Sequence, residues 1–443
     1  MDQRVDTLAA PLLTDPIDRL LRGQYRDPDS GEPVGVATRA LAIAASLDGM
    51  EADLVGQLGF GRRLAVVSDP ATHAALGERV ERALGGAFVV RSVVLPAEPV
   101  PDLATTEALR QETASADALI AVGSGTINDL CKYAAFLDRK PYAVFATAPS
   151  MNGYTSITAA ITEGGHKKSL AAQAPQGAFF DLSVLSKAPP RLIRAGLGDS
   201  LCRTTAEADW LLAHLLFDKP FRRLPFALLA DDEPVLFAHS ADLTAGSHDV
   251  MERLVRTLVL SGFGTAIVGS SEPASQGEHL VSHYIDMFAD AGRRPIFHGE
   301  QVGVTTLSSA RLQHAILETR PVVRPETRTE VDFRARYGDE LGASCWADYN
   351  RKALNQESAD ALNARLAESW DDIRTRISAV LLPHQRLQQV LMAAGSPLGP
   401  EAIDLSRPFY DKALLEARDI RNRYTFFDLA ADSGRLPGLV ADL

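Results

Sequence analysis

Ala116-Asp-Ala-Leu-Ile-Ala-Val-Gly-Ser-Gly-Thr-Ile-Asn-Asp-Leu-Cys-Lys-Tyr133 joins an apolar strand, Leu119–Val122, to a glycine turn that opens a helix. Such a turn suits a phosphate. Gly123 and Gly125 lack the Cβ atoms that would hold a diphosphate off the backbone, and the free N–H groups of the helix's first turn then face the anion. The spacing is neither Gly-x-Gly-x-x-Gly nor a Walker loop: position 128 is Asn128, and no Lys-Ser/Thr ends the turn. Taken alone, the turn equally serves to close a strand onto a helix.

A second apolar run, Tyr142–Ala146, leads into Thr147-Ala-Pro-Ser-Met-Asn-Gly-Tyr-Thr-Ser156. Its hydroxyls on Thr147, Ser150, Thr155 and Ser156, with Tyr154, suit a ribose or a diphosphate; the alternative is a polar loop held by Ser/Thr turns. Two loops at the carboxyl ends of successive strands form one crevice in an open α/β sheet, the usual ligand position of such sheets. Upstream, Arg63–Asp69 reads as a buried strand with an acid at its end, Thr72–Leu84 as a helix, Ala87–Leu95 as a strand and Thr105–Ala114 as a helix. This alternation predicts a Rossmann-like α/β domain with a parallel sheet over residues 1–185, residues 1–60 being a lead-in. Beyond Leu185 the apolar spacing turns helical in Pro189–Phe217, Ser247–Val268, His279–Ala291 and Val302–Leu317. An all-α domain over 186–443 is expected, its boundary near Ser186-Lys-Ala-Pro-Pro190. The charged segment Pro321–Arg351 reads as surface structure.

The 443 residues suffice for two domains with substantial cores, and 46% hydrophobic with 23% charged residues is ordinary for a soluble protein. A net charge of −12 disfavours nucleic acid and anionic membranes as partners. Three cysteines, Cys131, Cys202 and Cys345, without Cys-x-x-Cys spacing, support neither a disulfide framework nor a thiolate zinc site and fit a reducing cytoplasm. Met1–Asp6 carries two acids and does not read as a signal peptide. No run of about eighteen apolar residues predicts a membrane span.

Gly123–Tyr133, Thr147–Ser156, Gly196-Leu-Gly-Asp-Ser200, Gly277-Glu-His279, His298-Gly-Glu-Gln-Val-Gly303 and Arg418-Asp-Ile-Arg-Asn-Arg-Tyr-Thr425 together resemble the sn-glycerol-1-phosphate dehydrogenase family, particularly its bacterial branch. That family belongs to the iron-containing alcohol dehydrogenase, glycerol dehydrogenase and dehydroquinate synthase superfamily. The motifs run in order from about residue 65 to residue 430, most of the chain. The resemblance implies a dehydroquinate synthase-like two-domain fold, NAD or NADP as cofactor, and a divalent metal on Asp199, His279 and His298, with zinc the first choice and nickel or iron next. Asp199 is expected near the start of a helix. A metal with an open position stabilises the negative charge that hydride transfer places on a carbonyl oxygen.

On the same resemblance, Gly123, Ser124 and Gly125 meet the diphosphate with Thr126 and Asp129 beside it, and Thr147, Ser150 and Ser156 contact nicotinamide, ribose or diphosphate. Asp69 matches an acid that bonds the adenosine ribose and repels a 2′-phosphate; it also suits a helix cap before Pro70. Arg203 stands where iron-dependent relatives carry a histidine ligand four residues after the aspartate. On a continuous helix it faces the same cavity, so it is a candidate for a substrate phosphate, or an ordinary salt-bridging arginine. Lys167 and Lys168 are candidates for the same phosphate, Lys168 foremost, or a solvated pair. His283 is expected near the site as a proton relay. Asn152 replaces the acid of many relatives, so either water and His283 carry the relay or the substrate differs from the family's usual one.

The implied reaction reduces dihydroxyacetone phosphate, or a related phosphorylated ketone, to the glycerol 1-phosphate of phospholipid biosynthesis, in a cytoplasmic homo-oligomer. A dehydroquinate synthase-like cyclase and a degenerate binding subunit are the alternatives.

Overall fold

The computed structural model describes residues 15–164, 166–290 and 296–443, so Met1–Asp6 and Ala291 lie outside it, as does the side chain of His166. Eight strands matter to the site: β1 Ala40–Ala44, β2 Arg63–Ser68, β3 Val89–Val94, β4 Ala118–Gly123, β5 Tyr142–Ala146, β6 Thr158–Glu163, β7 His166–Ala171 and β8 Gly177–Asp181. Six of them form a parallel sheet in the order β1-β8-β5-β4-β2-β3, and β6 pairs with β7 as a separate antiparallel ribbon. The buried strands are apolar throughout because both sheet faces are covered. Leu64, Val66, Ile120, Val122, Phe145 and Phe179 fill one side. Val67, Leu119, Ala121, Val144 and Phe180 fill the other, in one core with Leu197, Leu201 and Leu258 of the helical half.

Two expectations change. The stretch before residue 60 is more than a lead-in, since Ala40–Ala44 pairs with β8 as the sheet's edge. Pro321–Arg351 is no surface segment either. It contains helices Glu330–Tyr337 and Asp339–Tyr349 and buries Phe333, Cys345 and Tyr349.

After β8 the framework around the site is helical: α1 is Gly125–Leu137 within the sheet half, followed by α2 Pro190–Leu201, α3 Arg203–Phe217, α4 His248–Val268, α5 Gly277–Phe288 and α6 His298–Leu317. Glycines set how closely these helices pack. A Cβ on Gly198 of α2 would lie 2.1 Å from the Gly299 carbonyl oxygen, and one on Gly299 of α6 would lie 1.8 Å from that of Ala195. Similarly, a Cβ on Gly196 would fall 1.7 Å from the Pro149 oxygen, and one on Gly262 of α4 2.2 Å from Thr155 Oγ1. Backbone therefore touches backbone at the junction of sheet loops and helices.

Gly299→Ala is expected to cost about 3 kcal/mol of stability or more, because a backbone carbonyl cannot yield to the new methyl group. Gly303→Ala, whose Cβ would find its nearest neighbour at 3.4 Å, should be neutral or gain up to about 1 kcal/mol from helix propensity. Denaturant midpoints of the two variants check this contrast.

Candidate active site

The close packing of α2 against α6 delivers three acceptor atoms to one point. Asp199 sits in the last turn of α2, not near a helix start, because Gly196 and Gly198 lie inside the helix they were expected to precede. His279 is the third residue of α5 and His298 the first of α6. Asp199 Oδ1 lies 3.5 Å from His279 Nε2 and 3.7 Å from His298 Nε2. That oxygen is buried and has no hydrogen-bond partner, while Oδ2 accepts the Asn152 N–H at 2.7 Å.

Neighbouring groups fix the histidine tautomers. Gln301 Nε2 donates to Asp286 at 2.8 Å, so its oxygen faces Ser282 and accepts that hydroxyl at 2.7 Å. With its only proton committed, Ser282 Oγ accepts from His298 Nδ1 at 3.3 Å, leaving the Nε2 lone pair toward Asp199. His279 Nδ1 lies 2.9 Å from the Glu278 carboxylate, which also accepts the Gln276 N–H and the Thr205 hydroxyl. A buried carboxylate oxygen and two imidazole nitrogens thus converge, and once His279 is neutral no donor stands among them. Such a set can hold a divalent metal, with Glu278 and Ser282 orienting the ligands from behind.

Electrostatics agrees with this picture. Burial favours a neutral His279, but its polar contacts with Asp199, Cys202 and Glu278 outweigh it and raise its pKa well above the ordinary imidazole value. Burial, reinforced by a charged His279, pushes His298 down to about 4. Without a metal, a single proton on His279 therefore sits where the cation fits. His283, one turn along α5, stands 6.1 Å from the His298 ring and 6.4 Å from His279, ring to ring. Burial, then Arg421 and Lys167, hold it neutral, and its buried Nδ1 has no partner.

The cofactor crevice opens at the carboxyl ends of β2, β4 and β5. Ser124 is the N-cap of α1 in extended conformation and its side chain caps nothing, so Gly125 and Thr126 begin the helix without a side-chain cap. A Cβ on Gly125 would meet Met151 Sδ at 3.0 Å, and one on Gly153 would meet the same atom at 3.0 Å. The turn and the loop 147–156 therefore lie against each other at the end of the sheet, linked by the Thr147 N–H on the Gly123 oxygen at 3.1 Å. This cradle fits a dinucleotide diphosphate. Asp69 caps the helix at Pro70, its Oδ1 accepting Thr72 N at 2.8 Å. Asp129 is turned to the β6 ribbon, accepting Ala160 N at 3.1 Å, and is 3.8 Å from buried Lys132. Ser156 bonds Lys132 at 2.9 Å, and Ser150 lies buried beside Tyr154. Asp129 and Ser156 thus hold the cleft's shape instead of lining it.

Three expected substrate groups are otherwise engaged. Arg203 opens α3 just past Cys202 and lines one small cavity with Asp199, as expected, but its guanidinium is held by Glu207 at 2.6 Å and Glu233 at 2.7 Å. Lys168 points across the ribbon to Glu163 at 2.7 Å; alternation along β7 sends Lys167 the other way, to Asp286 at 2.5 Å. Asn152 acts through its backbone N–H, and its side-chain amide lies 3.3 Å from Ser261 Oγ. Sequence reasoning missed Glu278, Ser282 and Gln301. Their only signal was helical spacing: Ser282 follows His279 by three residues, and Gln301 follows His298 by three.

A family model described as iron-containing alcohol dehydrogenase matches residues 42–189. The glycerol-1-phosphate dehydrogenase [NAD(P)+] of Halalkalibacterium halodurans is 34% identical over 81% of this chain and 84% of its own length. That of Geobacillus stearothermophilus is 30% identical over 82% and 85%. Among solved structures, glycerol dehydrogenase from Schizosaccharomyces pombe superposes with a TM-score of 0.55 at 17% identity, over 91% of this chain and 90% of that one, a likeness of fold.

Metal uptake by the apoprotein at neutral pH should release about one proton, that of His279, since His298 is already neutral. Titration of the metal in weak buffer measures it. Glu278→Gln should weaken metal affinity by about 10- to 100-fold while His279→Ala retains no metal after dialysis, both leaving nucleotide binding intact.

Proposed function

The chain belongs to the glycerol-1-phosphate dehydrogenase family, and from that premise we propose that it is a metal-dependent, NAD(P)-linked oxidoreductase interconverting dihydroxyacetone phosphate and sn-glycerol 1-phosphate. The observation that carries this reading is the convergence of Asp199 Oδ1, His279 Nε2 and His298 Nε2 beside the glycine turn. Asp199, His279 and His298 hold a divalent metal, zinc before nickel or iron, which supplies a Lewis acid for the carbonyl oxygen. The cleft between Gly123–Gly125 and loop 147–156 takes NAD(P), the source of hydride.

The protein's own groups do the rest. Asn152 N–H fixes Asp199 so that Oδ1 alone faces inward. Neutral His283, with an unpartnered nitrogen among the triad rings, carries the proton between the substrate oxygen and solvent. Burial of Asp199 and His279 lowers the local dielectric, which strengthens their electrostatic contacts with the developing negative charge. Asp69 at the end of β2 favours NAD over NADP while also capping its helix. No helix of the described residues is long and apolar enough to cross a membrane, and the three cysteines are free and buried. A cytoplasmic location and a homo-oligomer complete the proposal on family grounds.

Metal-reconstituted protein, assayed with phosphorylated and unphosphorylated ketones and NADH or NADPH, should show net loss of nicotinamide absorbance fastest with dihydroxyacetone phosphate. No net change with any ketone would overturn the dehydrogenase reading. Asp69→Ser keeps a capping oxygen but removes the charge. It should raise the kcat/KM ratio of NADPH to NADH by about tenfold or more, a like-charge contact being worth at least about 1.4 kcal/mol.

A further inference from the structure

Arg421 and Arg423 lie against α5 and the turn that precedes it, and among the described residues neither is bonded to a carboxylate. The chain leaves the 3₁₀ turn Ala417–Ile420 with φ −149° and ψ 162° at Arg421, and Arg421 and Arg423 are both half-buried with exposed Asn422 between them. Arg421 Nη2 donates to the Lys167 carbonyl at 2.8 Å. Arg423 donates to the Ser275 carbonyl and, at 2.7 Å, to Ser271 Oγ. All these acceptors are neutral. The nearest acids, Asp348 toward Arg421 and Glu272 and Glu278 toward Arg423, act at a distance only. Burial lowers the pKa of both, and Arg421 adds to the effect on Arg423, which falls to about 10.

Other inward arginines of this protein are treated differently. Arg203 has Glu207 and Glu233, and Arg418 has Asp428 at 3.1 Å and Asp432 at 2.8 Å. Leaving two neighbouring guanidinium groups on neutral acceptors is unfavourable unless an anion completes them. Their location is equally specific, for after burial Arg421 is the strongest influence on His283, followed by Lys167. The segment is also held still: Lys352 donates to the Arg423 carbonyl at 2.7 Å, and Thr425 N–H to Asp428 at 2.9 Å.

We propose that Arg421 and Arg423 grip the phosphate of the substrate while its carbonyl faces the Asp199, His279 and His298 triad. The fork geometry of guanidinium matches a phosphate monoester, and a protein of net charge −12 needs such a local positive cleft to admit one. This assignment rests on the dehydrogenase reading and replaces Arg203 and Lys168 in the phosphate role.

The test uses full-length, metal-loaded protein and the variants Arg421→Ala, Arg423→Ala and Arg421→Lys. For each alanine variant the ratio of kcat/KM for dihydroxyacetone phosphate to that for dihydroxyacetone should fall at least tenfold, mainly through KM, and competitive inhibition by inorganic phosphate should weaken in parallel. Arg421→Lys should restore part of the ratio. Equal losses on both ketones with full metal content would make the arginines structural, and a raised KM for NADH alone would assign them to the cofactor diphosphate; either result overturns the proposal. If the wild type turns over neither ketone, the dehydrogenase reading fails separately. Calorimetry with inorganic phosphate then decides this inference, supported by binding to the wild type that the alanine variants lose and overturned by equal binding in all three.

Discussion

Contact between bare backbones at Gly198 and Gly299 is the constraint on which the site depends. Asp199 and His298 belong to different helices, and their functional atoms stand 3.7 Å apart only because α2 and α6 meet without intervening side chains. Gly196 against Pro149 and Gly262 against Thr155 apply the same device to the loop beside the nucleotide cleft. Packing of this kind leaves little room for adjustment, since backbone atoms cannot change rotamer. Precision at three acceptor atoms is thus set by glycines that touch neither metal nor substrate.

How much of this was legible varied with the range of the interaction. The runs Ala118–Gly123 and Tyr142–Ala146 could be read as strands because sheets covered on both faces demand continuous apolar sequence. Ala40–Ala44 could not, being short, half-buried and far in sequence from its partner β8. The triad was legible through its motifs, but its orientation was not: Ser282 fixes a tautomer only once Gln301 and Asp286 are placed around it. Spacing put Arg203 on the cavity of Asp199 but could not show that Glu207 and Glu233 engage its charge, and between Lys167 and Lys168 only the register of the ribbon decides.

Charge density misled in a further place. Pro321–Arg351 looked solvated, yet Arg328 stacks 5.2 Å from Phe333 and 4.9 Å from Tyr349 and pairs with Asp419 at 2.9 Å. Arg418 lies over the same Tyr349 ring at 5.2 Å. Charges of both signs are there folded around aromatic rings, with the long side chains contributing apolar contact as well as charge. Composition alone cannot separate such a network from a surface, because the partners of Arg328 and Arg418 lie up to about ninety residues away in sequence.

The hydrogen bond from Asn152 N–H to Asp199 Oδ2 joins a loop of the sheet half to a carboxylate of the helical half. On the proposed cofactor site, ordering of loop 147–156 around a nucleotide would act through this bond on the basicity of that carboxylate. Equilibria at the two places then share a coupling free energy, which thermodynamics requires to be the same in both directions. Occupancy of one alters affinity at the other by the same factor, whichever arrives first.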